Sequence, residues 1–199
     1  MKQYYFLIAA LFLLSPQLFA QNEAERKSCI KLNMLSPVMS TLNIAFETQT
    51  ANDYSVQLGF AYMNHQTYAN TDGSTKAFFI TPELRYELAE TKNGYAFIGV
   101  FGRYTNMEYT ESERKFLVTR KATSNYESIG GGIVIGQKLM YKNRVAIELF
   151  AGPVYSGIIN SKNDFFNKSD DDIIIDQDIP FALLRRYGLR AGFTVGWLF

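Results

Sequence analysis

The chain of 199 residues carries 20 basic and 19 acidic side chains, one histidine and one cysteine. This length fits one domain, and the near-neutral charge argues against nucleic-acid binding, which needs a basic surface. A lone cysteine excludes a disulfide within the chain, and we expect Cys29 to be an inert small apolar residue.

The first twenty residues have the pattern of a secretory signal peptide. Lys2 precedes an apolar run over residues 4–14, Ser15-Pro16 breaks this run, and Ala20 provides a small residue at the expected cut. The run is shorter than the roughly 20 residues of a retained membrane-spanning helix. We therefore predict a cleaved signal peptide over residues 1–20 and one β-barrel domain over residues 21–199. Lys2 is the only charged residue of this leader, so the mature chain has no net charge.

From Ile30 onward, apolar and polar residues alternate with period two, which is typical of β-strands with two different faces. We predict eight strands, whose apolar faces span residues 30–34, 42–46, 54–62, 78–88, 96–104, 129–135, 145–151 and 187–199. Pro82 lies inside the fourth segment, where a missing amide hydrogen could mark a bulge or an edge. Because the apolar set continues in phase on both sides of Pro82, we predict an unbroken strand.

Short and long connections alternate between these segments. QTAND, AETKN and MYKNR are short and carry the polar residues of tight turns, and SPVMS links the first two segments. Three polar stretches, residues 65–75, 108–123 and 160–178, are predicted as long loops. Short turns at one end and long loops at the other are typical of an outer-membrane barrel.

The charged residues decide which face points inward. A soluble barrel such as a lipocalin is apolar inside, but here the polar face carries charges of both signs, which can pair within a narrow lumen. The predicted lumen charges are Glu47, Glu83, Arg85, Arg103, Lys138, Glu148 and Arg190. The apolar face carries aromatic residues toward the strand ends, as expected at a lipid–water boundary. We therefore predict an all-β, eight-stranded antiparallel up-and-down transmembrane β-barrel in contact with outer-membrane lipid.

The sequence ends in YGLRAGFTVGWLF, with apolar residues at alternating positions and a terminal aromatic. Outer-membrane barrels share this feature, so Phe193, Val195, Trp197 and Phe199 resemble a signal for the barrel-assembly machinery. Together with IKLNMLSPVMSTLNIAFE, YSVQLGFAY, ITPELRYEL, IGVFGRY and GGGIVIGQK, this end resembles an uncharacterised family of small outer-membrane β-barrel proteins common in Bacteroidetes. By analogy with OmpA- and OmpX-like barrels, the resemblance implies eight strands and an outer-membrane location, and it implies no established activity.

Few residues are candidates for chemistry. His65 is the only histidine; lipid-modifying barrels use a histidine with a serine and an acidic residue, but no serine stands two residues later. We interpret His65 as a rim residue on the lumen face. The acidic stretch around Ser169 could hold Ca²⁺ but lacks regular ligand spacing, and the isoleucines at 173–175 could form a partner-binding edge. The glycines at 130–132 lie in a strand, where we expect close packing rather than phosphate binding.

The main hypothesis is a non-enzymatic, monomeric outer-membrane anchor that presents extracellular loops for adhesion, defence or envelope integrity. It predicts no catalytic, cofactor or metal site. The alternative is a lipid-modifying outer-membrane enzyme or a barrel that binds a small hydrophobic ligand. The lumen charges could line an ion path, but paired charges in a narrow barrel favour a plug.

Overall fold

The computed structural model describes residues 28–51, 53–67, 72–91, 93–115, 118–142, 144–163 and 186–199. The strands within these residues are β1 Ser28–Asn33, β2 Thr41–Ala51, β3 Tyr54–Thr67, β4 Asp72–Thr91, β5 Gly94–Lys115, β6 Val118–Tyr141, β7 Val145–Asn163 and β8 Tyr187–Leu198. A 3₁₀ turn, Ser36–Met39, links β1 to β2, where SPVMS predicted a turn. The predicted signal peptide lies outside the described residues.

The eight strands form one closed barrel, in which each strand pairs with the next and β1 pairs antiparallel with β8. This confirms the predicted all-β, eight-stranded up-and-down barrel. Tight turns join β2 to β3, β4 to β5 and β6 to β7 at one end, here called the turn end; the opposite end is called the loop end. None of the helical segments among the described residues is long and apolar enough to cross a bilayer.

The strands are staggered around the barrel. Following the register from Cys29 through β2 to β7 leads to Gly188 of β8, whereas Cys29 itself pairs with Leu198. A stagger of ten residues requires strands that tilt relative to the barrel axis. The tilt brings side chains that are distant in sequence into the same layer of the interior.

Pro82 does not interrupt β4. It stands opposite Leu58 of β3, and the β4–β5 register is the same on both sides of it, with Ile80 opposite Tyr104 and Glu83 opposite Phe101. Its side chain points outward, and the register of β4 shifts instead between Glu87 and Ala89. The prediction of an unbroken strand is confirmed.

The predicted loops are wrong in extent. β3 continues to Thr67 and β4 begins at Asp72, and β5 and β6 form a hairpin that leaves only residues 116 and 117 between them. Residues 108–115 and 118–123 therefore pair as strands, because adjacent extended segments satisfy each other's backbone hydrogen bonds even where the side chains are polar. β7 likewise continues to Asn163, into the third predicted loop. The acidic stretch that follows, including the isoleucines at 173–175, lies outside the described residues.

Three apolar clusters fill parts of the barrel interior. They comprise Cys29, Ala146 and Leu198 near the turn end; Tyr95, Phe97, Phe101, Val134 and Phe150 in the middle; and Met63, Ala77, Phe79, Met107 and Tyr126 toward the loop end. Cys29 is a free thiol packed in the first cluster, which agrees with its expected role as a small apolar residue. Most of the other buried side chains of the interior are polar or charged.

Candidate functional site

A layer of six buried ionisable side chains crosses the barrel between the turn end and the middle aromatic cluster. We call it the luminal charge cluster, and its members are Lys31, Glu47, Glu83, Arg85, Lys138 and Glu148. Each is at most 4% exposed, although five different strands supply them. Burial of so many charges is tolerable only where each has an opposite charge and further hydrogen bonds.

Glu47 of β2 occupies one centre of the cluster. Its Oε2 accepts a hydrogen bond from Lys138 Nζ at 2.6 Å and lies 2.5 Å from Lys31 Nζ. Its Oε1 accepts from Ser55 Oγ at 2.8 Å. One carboxylate therefore bridges cations from β1 and β6, on different sides of the lumen.

Arg85 of β4 forms the second centre. Its Nε donates to Glu83 Oε1 at 2.6 Å, and its Nη1 lies 3.1 Å from each carboxylate oxygen of Glu148. The guanidinium carbon is 4.3 Å from the centroid of the Phe97 ring, within the range of a cation–π contact. Arg85 therefore contacts both the luminal charge cluster and the middle apolar cluster that contains Phe97.

Glu148 of β7 completes the network. Its Oε1 accepts a hydrogen bond from Lys31 Nζ, and its Oε2 accepts from Thr194 Oγ1 at 3.3 Å. Lys31 Nζ also donates to Gln57 Oε1 at 2.9 Å. Three cations and three carboxylates therefore balance one another across the lumen. The ion pairs join side chains from opposite walls of the lumen, as the narrow interior of an eight-stranded barrel allows.

Lys31 belongs to the cluster but was not among the predicted lumen charges. Its strand, Ser28–Asn33, is short, so the alternation around Lys31 covers few residues. The signal was nevertheless present in the sequence, since Lys31 and Asn33 alternate with the apolar Ile30, Leu32 and Met34.

The structure places Arg103 and Arg190 beyond the cluster, toward the loop end. Arg190 Nη1 lies 2.6 Å from Glu83 Oε2, and its guanidinium carbon is 4.4 Å from the Phe101 ring centroid. The guanidinium carbon of Arg103 lies 5.8 Å from the same ring centroid and 6.0 Å from that of Phe79. Within the described part of the chain, Arg103 makes no ion pair, and its Nε is buried without a hydrogen-bond partner.

Gly99 provides the space that the cluster needs on the wall formed by β5. A Cβ atom at this position would lie 3.0 Å from Glu83 Oε1 and 3.0 Å from Val134 Cγ2, closer than ordinary contact. Glycine therefore allows the Arg85–Glu83 pair to lie flat against the strand.

The predicted assembly residues lie on the outward face of β8. Trp197 is 55% exposed and Phe199 is 61% exposed. The backbone of Phe199 exchanges two hydrogen bonds with Ser28, so pairing of the first and last strands extends to this residue. Their role as an assembly signal stays a prediction.

Comparison with known proteins establishes the family. A family model described as "Protein of unknown function (DUF3575)" matches residues 6–172. The chain belongs to the DUF3575 family. No curated protein is significantly similar in sequence to this DUF3575 member.

Solved structures resemble this DUF3575 member in fold. A major outer membrane protein from Thermus thermophilus superposes with a TM-score of 0.63 at 10% identity, covering 88% of this chain and 100% of that protein. Acinetobacter baumannii CarO covers 87% of this chain and 96% of its own at 11% identity, with a TM-score of 0.42. The N-terminal β-barrel domain of Pseudomonas aeruginosa OprF covers 87% and 97% at 10% identity, with a TM-score of 0.35. The last two scores are too low to carry an argument, and the first supports the barrel fold. None of these matches bears on the expected Bacteroidetes origin.

His65 lies on the lumen side of β3 near the loop end, and its ring Nδ1 is 3.4 Å from Ser40 Oγ. The structure therefore supplies a serine that the spacing along the chain did not predict. Among the described residues, no carboxylate is hydrogen-bonded to His65, so the third member of a catalytic triad is not found there.

The other sequence candidates form no ligand site in the described residues. The glycines at 130–132 lie within β6, without the helix that a phosphate-binding loop requires. No group of three metal-binding side chains occurs within the described ranges. The predicted Ca²⁺ ligands of the acidic stretch lie outside them.

Proposed function

We propose that this DUF3575 member is an outer-membrane protein whose barrel spans the bilayer, serving as a closed anchor for the segments at its loop end. The observation that carries the proposal is a continuous apolar belt on the outside of the barrel. Its members include Ile44, Leu58, Phe60, Leu84, Val100, Ile133, Leu149 and Leu189. Val100 is 60% exposed and Leu149 is 64% exposed. Exposure of so many large apolar side chains is unfavourable on a surface that faces water.

The extent of the belt supports contact with lipid rather than with a partner on one side. Each fully buried aliphatic side chain contributes about 1.5–3 kcal/mol when removed from water. Soluble monomers rarely expose continuous apolar patches above roughly 600 Å². Here exposed apolar residues occur on all eight strands, so a bilayer is the environment that covers them together.

Aromatic residues support the position of the two lipid–water boundaries. Near the turn end, the rings of Tyr54 and Tyr86 lie 5.0 Å apart on neighbouring strands. Toward the loop end, the rings of Tyr155 and Tyr187 lie 5.4 Å apart. Amphipathic rings favour both interfaces, and Tyr54 and Tyr62 on β3 are separated by about the length of a transmembrane strand.

The polarity of the wall reverses beyond the loop-end aromatic residues. There Met107 and Tyr126 are buried inside the barrel, at 0% and 1% exposure, while Lys76, Glu108 and Asn125 are exposed outside. A wall that is apolar inside and polar outside is expected in water. The reversal therefore supports a membrane-embedded half and an aqueous half that carries the β5–β6 hairpin.

The luminal charge cluster supports an anchor rather than a channel. Its ion pairs close the lumen, so the surface available to partners is the aqueous loop end, and we assign it roles in adhesion, defence or envelope integrity. Reconstitution in a planar bilayer should give no steady conductance at neutral pH. Stable single-channel currents at low voltage would show that the cluster does not seal the barrel.

Cell fractionation followed by gel electrophoresis of boiled and unboiled samples tests the location. We expect the protein in the outer-membrane fraction, with a band that shifts on boiling because closed barrels resist SDS until heated. A Phe199 deletion should lower the amount of shifted band if the terminal residues direct assembly. A soluble periplasmic protein without a heat shift would overturn the proposal and favour a barrel that handles a hydrophobic ligand.

A further inference from the structure

A cavity of about 170 Å³ opens above the luminal charge cluster. Most of its lining comes from β1, β2, β3 and β8, and β4, β5 and β7 supply Phe79, Arg103 and Phe150. Ser36 and Met39 of the exposed β1–β2 link line its upper end, and Lys31 and Gln57 line its lower end. Cavities of about 150 Å³ hold a benzene molecule. The cavity is therefore large enough for a small organic ligand.

The charges around this cavity favour a negatively charged ligand. The luminal charge cluster is balanced by its own three carboxylates, and Arg103 and Arg190, which both line the cavity, add two positive charges. Arg190 shares Glu83 with Arg85, and Arg103 has no carboxylate within ion-pair distance among the described residues. Both guanidinium groups lie against the Phe101 ring, so two like charges are held in one region of low polarity. A negatively charged ligand would relieve their repulsion.

The remaining lining favours a ligand that also has an apolar part. Ala61, Met63 and Phe79 form an apolar wall, while Asn43 and Thr81 provide polar groups. Arginine binds carboxylates through parallel hydrogen bonds from its planar guanidinium group, and the partly exposed Arg103 lines the cavity. A bare inorganic anion would leave the apolar wall uncovered.

We propose that this cavity is a binding site for a small aromatic or short-chain carboxylate. The carboxylate lies against Arg103, with Arg190 as the second cation, and the apolar body lies against Met63 and Phe79. The site ends at the luminal charge cluster, with Lys31 at its lower end and Ser36 and Met39 at its upper end. It therefore binds without transport through the barrel.

Isothermal titration of the full protein in lipid nanodiscs tests this site, with benzoate as the probe and empty nanodiscs as the blank. Benzyl alcohol has a similar apolar body without the charge, and phosphate has the charge without the body. We expect saturable binding of benzoate and at least tenfold weaker binding of both comparison compounds. Benzyl alcohol loses the charge-assisted hydrogen bond, which contributes about that factor, and phosphate loses the contacts of the apolar body.

Two variants locate the binding. Arg103→Gln should weaken benzoate binding at least tenfold, whereas Lys76→Gln removes an exposed cation that does not line the cavity and should leave the binding unchanged. Gly59→Leu should also abolish binding by filling the cavity without altering a charge, because a Cβ atom there has only ordinary contacts, the nearest at 3.5 Å. The heat shift on gels verifies that each variant is folded.

Two results would overturn the proposal. Absence of saturable benzoate binding to the wild-type protein would remove the site. Equal affinity for phosphate and benzoate, or unchanged benzoate binding in both Arg103→Gln and Gly59→Leu, would show that the ligand class or its location is wrong.

Discussion

Replacing Glu47 with glutamine removes one charge from the luminal charge cluster while leaving the side-chain shape almost unchanged. Glu47 is 1% exposed and has Lys31 Nζ at 2.5 Å and Lys138 Nζ at 2.6 Å. In the variant, three cations would share the two remaining carboxylates. Neither lysine could regain water, because both are buried by the surrounding strands.

The expected loss of stability follows from this geometry. Breaking a buried ion pair by removing one partner costs about 3–5 kcal/mol, because the other charge stays uncompensated. The neutral amide of glutamine can still accept one hydrogen bond, which places the loss for Glu47→Gln at about 3 kcal/mol, or about a hundredfold in the unfolding equilibrium. Adding Lys138→Gln should restore part of this loss by rebalancing the cluster.

Urea unfolding in lipid vesicles measures the difference. Trp197 is the only tryptophan and lies on the outward face, so its fluorescence reports loss of contact with the bilayer. The matched control is Glu90→Gln, which removes the same charge at an exposed position of β4 and should change the unfolding free energy by less than about 0.5 kcal/mol. Equal effects of Glu47→Gln and Glu90→Gln would mean that water screens the interior charges, and the reasoning about a sealed lumen would be wrong.

Three further substitutions test other parts of the molecule. Leu84→Arg places a charge in the middle of the apolar belt and should destabilise the barrel in vesicles by about 2–4 kcal/mol, whereas Glu90→Arg should change little; similar urea midpoints would argue against lipid at Leu84. Gly99→Ala should lower the unfolding free energy by about 1–3 kcal/mol in the same assay, because the added methyl crowds Glu83. Gly157→Ala, with no atom within 4 Å of the added methyl, should leave it unchanged, and equal effects of the two substitutions would contradict the close packing at Gly99. His65→Ala should leave the mass spectrum of lipid A from expressing cells unchanged, and loss of a modified species would favour the enzyme alternative.

The sequence predicted the barrel because two environments impose the same period on every strand. Lipid outside and a narrow charged lumen inside require alternation, and the segment 54–62 follows it without a break. Pro82 was compatible with a strand because its side chain points outward and the register is preserved on both sides of it. Its missing N–H therefore removes only one hydrogen bond of the strand ladder.

The parts that sequence reasoning missed lie where one of these environments ends. Beyond the aromatic boundary, water replaces lipid, so outward polar residues such as Lys76 and Glu108 no longer distinguish a strand from a loop. The β5–β6 hairpin was therefore predicted as a loop. The cavity above the cluster was also beyond prediction, because it depends on which interior side chains the strand stagger brings together, and Arg103 and Met63 are far apart in sequence.

Because β1 is short, its pairing with β8, here called the seam, is a weak point of the barrel wall. β1 and the residue after it pair with the last strand over residues 28–34, whereas β5 and β6 pair along the whole of Gly94–Lys115. The two sides of this seam are the first and last strands of the barrel, so its closure carries the largest loop entropy and comes late in folding. Amide protons of β1 should accordingly exchange before those of β5 and β6.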